Sequence, residues 1–287
     1  SLLNALHSGH VAAAGIDTWE VEPPRDNPFS QLPQVVMSPH IGASTSEAQI
    51  RIAESIATQV PRALRGEVVD FPVNMPSVKV LPTSPVRHYT TLVEKMGMFS
   101  SQFLDFQSNQ LEIKYRGSLA KWDTSLLRLC FLKGFLQAAH DHASYVNADQ
   151  LSESVGLHVA EDTDPGFTDY ESAFKCCFKL KGKQFTIGGV VFSGPHPRIT
   201  LINDFVCELE ASGTMLVTTN SDKPGMIGVI GVCLGKHQIN INQFELGRNV
   251  RGGEAMAVIS VDQDISKDIL DELISNDGII SVRKIVL

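Results

Sequence analysis

The chain has 287 residues, 43% of them hydrophobic and 20% charged, with a formal net charge of -8. This length exceeds one ordinary core and predicts two or three domains. The acidic balance, with no Lys/Arg-rich run, excludes a nucleic-acid-binding surface, and no apolar run is long enough to span a membrane. The five cysteines, Cys130, Cys176, Cys177, Cys207 and Cys233, contain no CxxC. They read as buried thiols of a reducing, cytoplasmic compartment rather than a disulfide frame or zinc site.

Residues 1 to 76 have α/β character. Leu2, Leu3, Ala5 and Leu6, followed by Ser8 and Gly9, predict a helix end with a glycine terminator. Val11 to Ile16 predicts a tightly packed strand ending at Asp17. After a proline-rich loop comes VVMSPHIGASTSE, residues 35–47. Val35 and Val36 read as a short buried strand, and Ser44, Thr45, Ser46 and Glu47 as a capped helix start. His40 is thereby placed at the carboxyl end of a strand, where open α/β sheets present ligands. Glu22 lies just upstream, in WEVEPP at 19–24. A carboxylate fixed beside an imidazole raises its pKa and holds its tautomer, which suits a general acid/base near neutral pH. Taken singly, His40 also reads as a capping or packing residue and Glu22 as a solvated loop acid. A helix from Ser46 to Leu64 follows, with Ile50, Ile52, Ile56, Val60 and Leu64 near one face. Pro61 predicts a kink or early end. Residues 66–73 predict an extended return.

SGHVAAAGIDTW, EPP, SPHIGAST, EAQ and GEVV, in this order and spacing, resemble the carboxyl end of a D-2-hydroxyacid dehydrogenase. The resemblance is to the long-form branch, whose members carry an intervening domain and a terminal ACT domain. It implies that His40 exchanges a proton with the C2 hydroxyl of 3-phosphoglycerate as hydride passes to NAD, with Glu22 as its pairing carboxylate. It also implies that Asp17 lies near the nicotinamide carboxamide and that Gly42 and Ala43 lie along the nicotinamide. Trp19 stands where Phe is usual, and Pro72 where a small residue is usual. No GxGxxG follows a strand anywhere in the chain, and the family's substrate-clamping Arg is expected upstream of Ser1. The expectation is half a catalytic site, unable to bind NAD or turn over alone, from a protein roughly twice as long.

Residues 77 to 210 predict an α+β region. PTSP at 82–85 reads as a linker or helix entry. Tyr89, Leu92, Val93, Met96, Phe99 and Phe103 recur at helical spacing, Leu111 to Leu119 alternates as a strand, and Thr124 to Ala143 predicts a broad-faced helix. Residues 170–192 predict a hairpin about Lys181-Gly182-Lys183, with Arg198–Leu201 and Phe205–Leu209 adding strand. YRGS, YVNA, SGP and INDF resemble the intervening, allosteric substrate-binding domain of the long-form branch. His140-Asp141-His142 reads as solvated helix surface, because i and i+2 point apart. Arg198 with Lys179, Lys181 and Lys183 reads either as an anion pocket or as a solvated strand face.

Residues 213 to 287 predict βαββαβ. The elements are a strand at Thr214–Thr219, a helix entered through Asp222-Lys223-Pro224-Gly225, and strands at Ile239–Leu246 and Glu254–Val261. A helix capped by Ser266 and a closing strand at Ile279–Val286 complete the set. DKPG followed by INI resembles an ACT domain, a fold that holds amino acids between the paired sheets of two subunits. The resemblance implies an L-serine effector site formed by Asn220, Asp222 and Asn240, and a homo-oligomer. Asn220 departs from the aromatic or His usual there. The residue-level alternatives are a turn residue for Asn220 and a helix cap for Asp222. Two other readings stand beside the enzyme: a non-catalytic amino-acid-binding regulatory fragment, and another D-2-hydroxyacid dehydrogenase.

Overall fold

The computed structural model describes residues 1–65, 69, 73, 86–105, 108–166, 170–180, 182–192, 196–248 and 250–287. Most of the extended return at 66–73, the PTSP linker, Pro72, Lys181 and the SGP tripeptide at 193–195 lie outside them. The chain divides into two compact units, Ser1–Phe71 and Pro72–Leu287.

In the first unit, α1 (Leu2–His7) ends at Ser8 and Gly9 takes φ 73, as a glycine terminator does. Strand β1 (Ala14–Ile16) pairs in parallel with β2 (Val35–Met37). The strand expected from Val11 is shorter because the Val11 amide bonds back to the carbonyl of Ala5, and cross-strand bonding begins where the Ala14 amide meets Gln34. β2 is not a buried strand either. Alternation turns Val36 away from the side shared by Val35 and Met37, and it is 75% exposed. A parallel pair needs a long crossover, and this one carries Asp17 to Gln34. Helix α2 (Ser46–Leu64) starts where Thr45 Oγ1 accepts from the Ala48 amide at 3.2 Å. Pro61 does not end it early: the helix continues to Leu64, and the Arg65 amide still bonds the Pro61 carbonyl. Its apolar residues Ile50, Ile52, Ile56, Val60 and Leu64 are exposed.

The second unit holds two sheets. Strands β3 (Gln110–Gly117), β4 (His158–Asp164), β5 (Ser172–Leu180), β6 (Lys183–Phe192), β7 (His196–Ile202) and β8 (Phe205–Glu210) form one sheet in the order β4-β3-β5-β6-β7-β8. Helices α3 (Val86–Leu104) and α4 (Ser125–Gln137) pack on each other, followed by the short α5 (Ala148–Ser154). The α3–α4 crossing explains two glycines inside helices. A Cβ on Gly97 would lie 2.2 Å from the Phe131 carbonyl oxygen, and one on Gly134 would lie 2.0 Å from that of Glu94, so only glycine lets the backbones approach. Phe99, Phe131, Phe135, Phe174 and Phe178 are buried, with Phe135 and Phe178 stacked at 4.9 Å.

Three expectations change here. α4 ends at Gln137 rather than Ala143, so His140 and His142 lie in a turn, their rings 5.8 Å apart, and the helical argument for separating them does not apply. β3 ends at Gly117, whose φ of 65 turns the chain into a short 3-10 helix. Strand β4, reading HVAEDTD, was not anticipated. It is an edge strand whose exposed acidic side chains hide its period, a common protection of free edges.

The second sheet, in the order β10-β11-β9-β12, is antiparallel. Its strands are β9 (Thr214–Ser221), β10 (Ile241–Arg248), β11 (Glu254–Val261) and β12 (Ile279–Val286), with helices α6 (Met226–Lys236) and α7 (Lys267–Ile274). This is the expected βαββαβ order. Ile230, Leu234, Ile259, Ile269 and Leu273 share its core. Gln102 ties α3 to β12 of this sheet: its side-chain amide donates to the Val286 carbonyl at 2.9 Å and accepts from the Val286 amide at 2.9 Å.

Candidate functional sites

The crossover between β1 and β2 and the turn after β2 bring one cluster together. His40 Nδ1 lies 3.0 Å from Glu22 Oε2 and 2.9 Å from Oε1. Glu22 is itself oriented by the Trp19 amide, which donates to Oε1 at 3.1 Å, and the Glu22–Pro23 peptide is cis. The Trp19 indole donates to the Ser38 carbonyl at 2.9 Å, so the residue in place of the usual Phe also anchors the strand end before His40. His40 takes φ 68, an uncommon conformation for a non-glycine residue. Asp17 supports the turn: Oδ1 accepts from the Ser38 hydroxyl at 2.5 Å and the Ile41 amide at 2.8 Å, and Oδ2 accepts from the Gly42 amide at 2.8 Å. A Cβ on Gly42 would stand 2.8 Å from Asp17 Oδ2, so glycine is what allows this grip.

The electrostatics follow from these contacts. The hydrogen bond and charge of Glu22 raise the His40 pKa above its ordinary value. The His40 hydrogen bond, with help from the Trp19 amide, lowers that of Glu22. Asp17 is lowered chiefly by the Ser38 hydroxyl and then by the Ile41 and Gly42 amides. An ionised Glu22 accepts from Nδ1–H, which leaves Nε2 open to take or give a proton. The pair is open to solvent, with His40 and Glu22 side chains 51% and 40% exposed. Gly42 and Ala43 are also exposed beside it. Ser38 and Trp19 were missed as supports because neither a serine before a proline nor a lone Trp signals such a role.

A second site is a cleft of about 570 Å³ in the second unit, lined by Asn220, Asp222, Lys223, Phe244, Arg248 and Arg251 among others. Asn220 is 2% exposed. Its amide nitrogen donates to the Ser221 carbonyl at 2.8 Å, while its buried Oδ1 meets no donor among the described residues. Asp222 Oδ2 accepts from the Gly252 amide at 2.9 Å and faces Arg248 at 3.3 Å. The Gly252 amide is the main cause of its lowered pKa. Asp222 therefore closes the β10–β11 turn and is not a simple helix cap. Arg248 and Arg251 were not foreseen, because the register that brings the turn back to Asp222 is not readable locally.

Asn240 does not join them. It precedes Ile241, which pairs with Val261 and through it with Thr214. That is the opposite end of β9 from Asn220, about 20 Å away at 3.4 Å per residue. Its side chain instead donates to Asp262 at 2.6 Å. The anion cluster at Arg198 is not assembled either. Arg198 pairs with Val190, whereas Lys179 and Lys183 sit at the other end of the hairpin. Arg198 donates to the Pro197 carbonyl at 3.0 Å and approaches Glu210 at 3.9 Å.

Residues 85–203 match the D-3-phosphoglycerate dehydrogenase intervening domain. Residues 1–42 match the NAD binding domain of D-isomer specific 2-hydroxyacid dehydrogenases. The chain is 32% identical over 290 residues to D-3-phosphoglycerate dehydrogenase of Bacillus subtilis, covering 100% of this chain and 55% of that protein. It is 32% identical over 274 residues to that of Methanocaldococcus jannaschii, covering 95% and 52%. It is 34% identical over 279 residues to that of Mycobacterium leprae, covering 96% and 52%. The chain thus spans about half the length of the curated relatives it matches.

Proposed function

Because the chain is related along its whole length to the D-3-phosphoglycerate dehydrogenases, we propose that it is the acid/base and effector-binding portion of an enzyme that oxidises 3-phosphoglycerate with NAD, in L-serine synthesis. The observation that carries this reading is the His40–Glu22 contact, held in place by Asp17. His40 is the acid/base: with Nδ1–H donated to Glu22, its Nε2 takes the C2 hydroxyl proton during oxidation and returns it during reduction. Glu22 fixes the tautomer and stabilises the imidazolium. Asp17 holds the turn that aims the ring. NAD, when bound, supplies the hydride acceptor. The residues present suit its nicotinamide end, since Gly42 and Ala43 are small and exposed beside His40. Another hydroxyacid as substrate is disfavoured by the intervening-domain match at residues 85–203.

The cleft at Asn220 and Asp222 is the effector site in this reading, and L-serine the effector. An ammonium group would satisfy the unpartnered Asn220 Oδ1, and Arg248 and Arg251 favour a carboxylate. Asn240 enters such a site only from a second chain, so the reading includes a homo-oligomer. The boundaries that go with it are 1–76 for the catalytic end, 77–210 for the intervening region and 213–287 for an ACT-type regulatory domain.

The test joins this chain to the further length its relatives carry and assays NADH formation from 3-phosphoglycerate, with and without L-serine. Turnover that serine inhibits supports both assignments. Turnover insensitive to serine removes the effector assignment alone. No turnover with 3-phosphoglycerate, but turnover with another D-2-hydroxyacid, overturns the substrate.

A further inference from the structure

Away from both sites, α6 and α7 bring a third group of reactive side chains together. Cys233 and His237 stand four residues apart at the carboxyl end of α6, and Glu272 faces them from α7. The spacing i and i+4 puts two side chains on one helix face, the arrangement by which a helix offers two ligands to one metal ion. One donor atom from each of the three residues lies within 4.8 Å of the other two. We propose that Cys233, His237 and Glu272 form a binding site for a zinc-class divalent cation, with a fourth position open to water.

The donor set selects the ion. One thiolate, one imidazole and one carboxylate are borderline-soft ligands, which suit Zn²⁺ and, as its spectroscopic substitute, Co²⁺, over the oxygen-seeking Mg²⁺ or Ca²⁺. Bonds of about 2.3 Å to sulfur and about 2.0–2.2 Å to nitrogen and oxygen place tetrahedral ligand atoms on the order of 3.5 Å apart. The site therefore needs a rearrangement of about 1 Å: separations toward the 4.8 Å limit must close, while His237 Nε2 and Glu272 Oε2, at 2.8 Å, must open to admit the ion. His237 and Glu272 can supply it, since their side chains are 31% and 35% exposed, whereas Cys233, 5% exposed, stays fixed.

The neighbouring contacts are compatible with such an ion. Glu272 divides its oxygens: Oε1 accepts from Lys236 at 2.9 Å and Oε2 lies 2.8 Å from His237 Nε2. A metal between Oε2 and Nε2 would leave Lys236 on Oε1, as an outer partner that orients the carboxylate. An ion bound through an unprotonated His237 Nε2, with the ring proton on Nδ1, would release one proton, that of the Cys233 thiol. A plain surface ion-pair cluster would need only Lys236, His237 and Glu272. The sulfur of Cys233, within reach of both acceptors, is what such a cluster does not require. Occupied, the site would fasten the end of α6 to α7.

The experiment titrates the metal-stripped 287-residue chain with Co²⁺ and then displaces it with Zn²⁺. The expected result is one equivalent bound, with tetrahedral ligand-field bands and a thiolate charge-transfer band that Zn²⁺ removes. Cys233→Ser should abolish the charge-transfer band, and Glu272→Gln, at a partly exposed position that leaves the core intact, should weaken binding by about 100-fold or more, the upper end of the loss from an outer-sphere partner alone. Cys207→Ser should leave the spectrum unchanged. Absence of stoichiometric binding at micromolar Co²⁺ would overturn the proposal. So would bands that persist in both Cys233→Ser and Glu272→Gln.

Discussion

In Ser1–Phe71 the only buried apolar side chain among the described residues is Leu6, and the His40 turn is held by hydrogen bonds to the carboxylates of Asp17 and Glu22. In Pro72–Leu287 the reverse holds: rings and aliphatic groups such as Phe99, Phe131, Phe174 and Ile259 are withdrawn from water, and glycines let α3 and α4 meet at the backbone. The contrast separates two kinds of order. Bonds to ionised groups are directional and answer to pH, whereas apolar burial is indifferent to pH and fails when volume is removed.

The pH consequence differs accordingly. His40, with a raised folded pKa, contributes stability that is fully present below its ordinary value of 6.5 and is lost as pH rises through the raised one. Glu22, with a lowered pKa, contributes stability present above its ordinary value of 4.5 and is lost as pH falls through the lowered one. The turn is therefore held most firmly between these two ordinary values. In the second unit burial raises Tyr115 and Cys176 further above neutrality, so both stay neutral; the response left there is that of carboxylates such as Asp222, lowered chiefly by the Gly252 amide and lost as pH falls, with no counterpart to the loss at His40 as pH rises.

Substitutions sharpen the contrast, in descending order of effect. In a preparation that turns over, His40→Ala should lower kcat by about 10²–10⁴-fold, the usual worth of a positioned acid/base, with no change in the denaturation of the second unit. A kcat near the wild-type value across neutral pH would remove His40 from the chemistry. Phe131→Ala should cost the second unit about 3–5 kcal/mol in denaturant unfolding while the His40 titration stays where it was. Gln102→Ala removes both bonds to Val286 and should cost about 1 kcal/mol, read as faster amide exchange along β12. Val36→Thr, at a position 75% exposed, should change stability by no more than about 0.5 kcal/mol; a larger loss would show that this face is covered.

Much of this arrangement was legible in the sequence, because the deciding interactions are local. Period 3.6 marked α2 and α3, period 2 marked the β5–β6 hairpin, and the SPHIGAST segment marked His40 together with its upstream carboxylate. What escaped depends on partners distant in the chain. The grip of Asp17 on Ile41 and Gly42, 24 and 25 residues away, is invisible to any local period. The register of β9, β10 and β11 decides that Asn220 and Asp222 share a cleft while Asn240 lies at the far end. The edge strand β4 reads as polar loop because its side chains face water. Pro61 was read by its own cost alone, which the rest of a 19-residue helix outweighs.

Glu22 sets the protonation of His40 through the contact to Nδ1. NMR titration of the His40 ring in the wild-type chain and in Glu22→Gln tests it most directly. The expected result is a wild-type pKa above the ordinary 6.5 that falls toward or below that value once the carboxylate is replaced by a neutral amide. The same midpoint in both proteins would contradict it, and would leave His40 as an exposed histidine that Glu22 touches but does not tune.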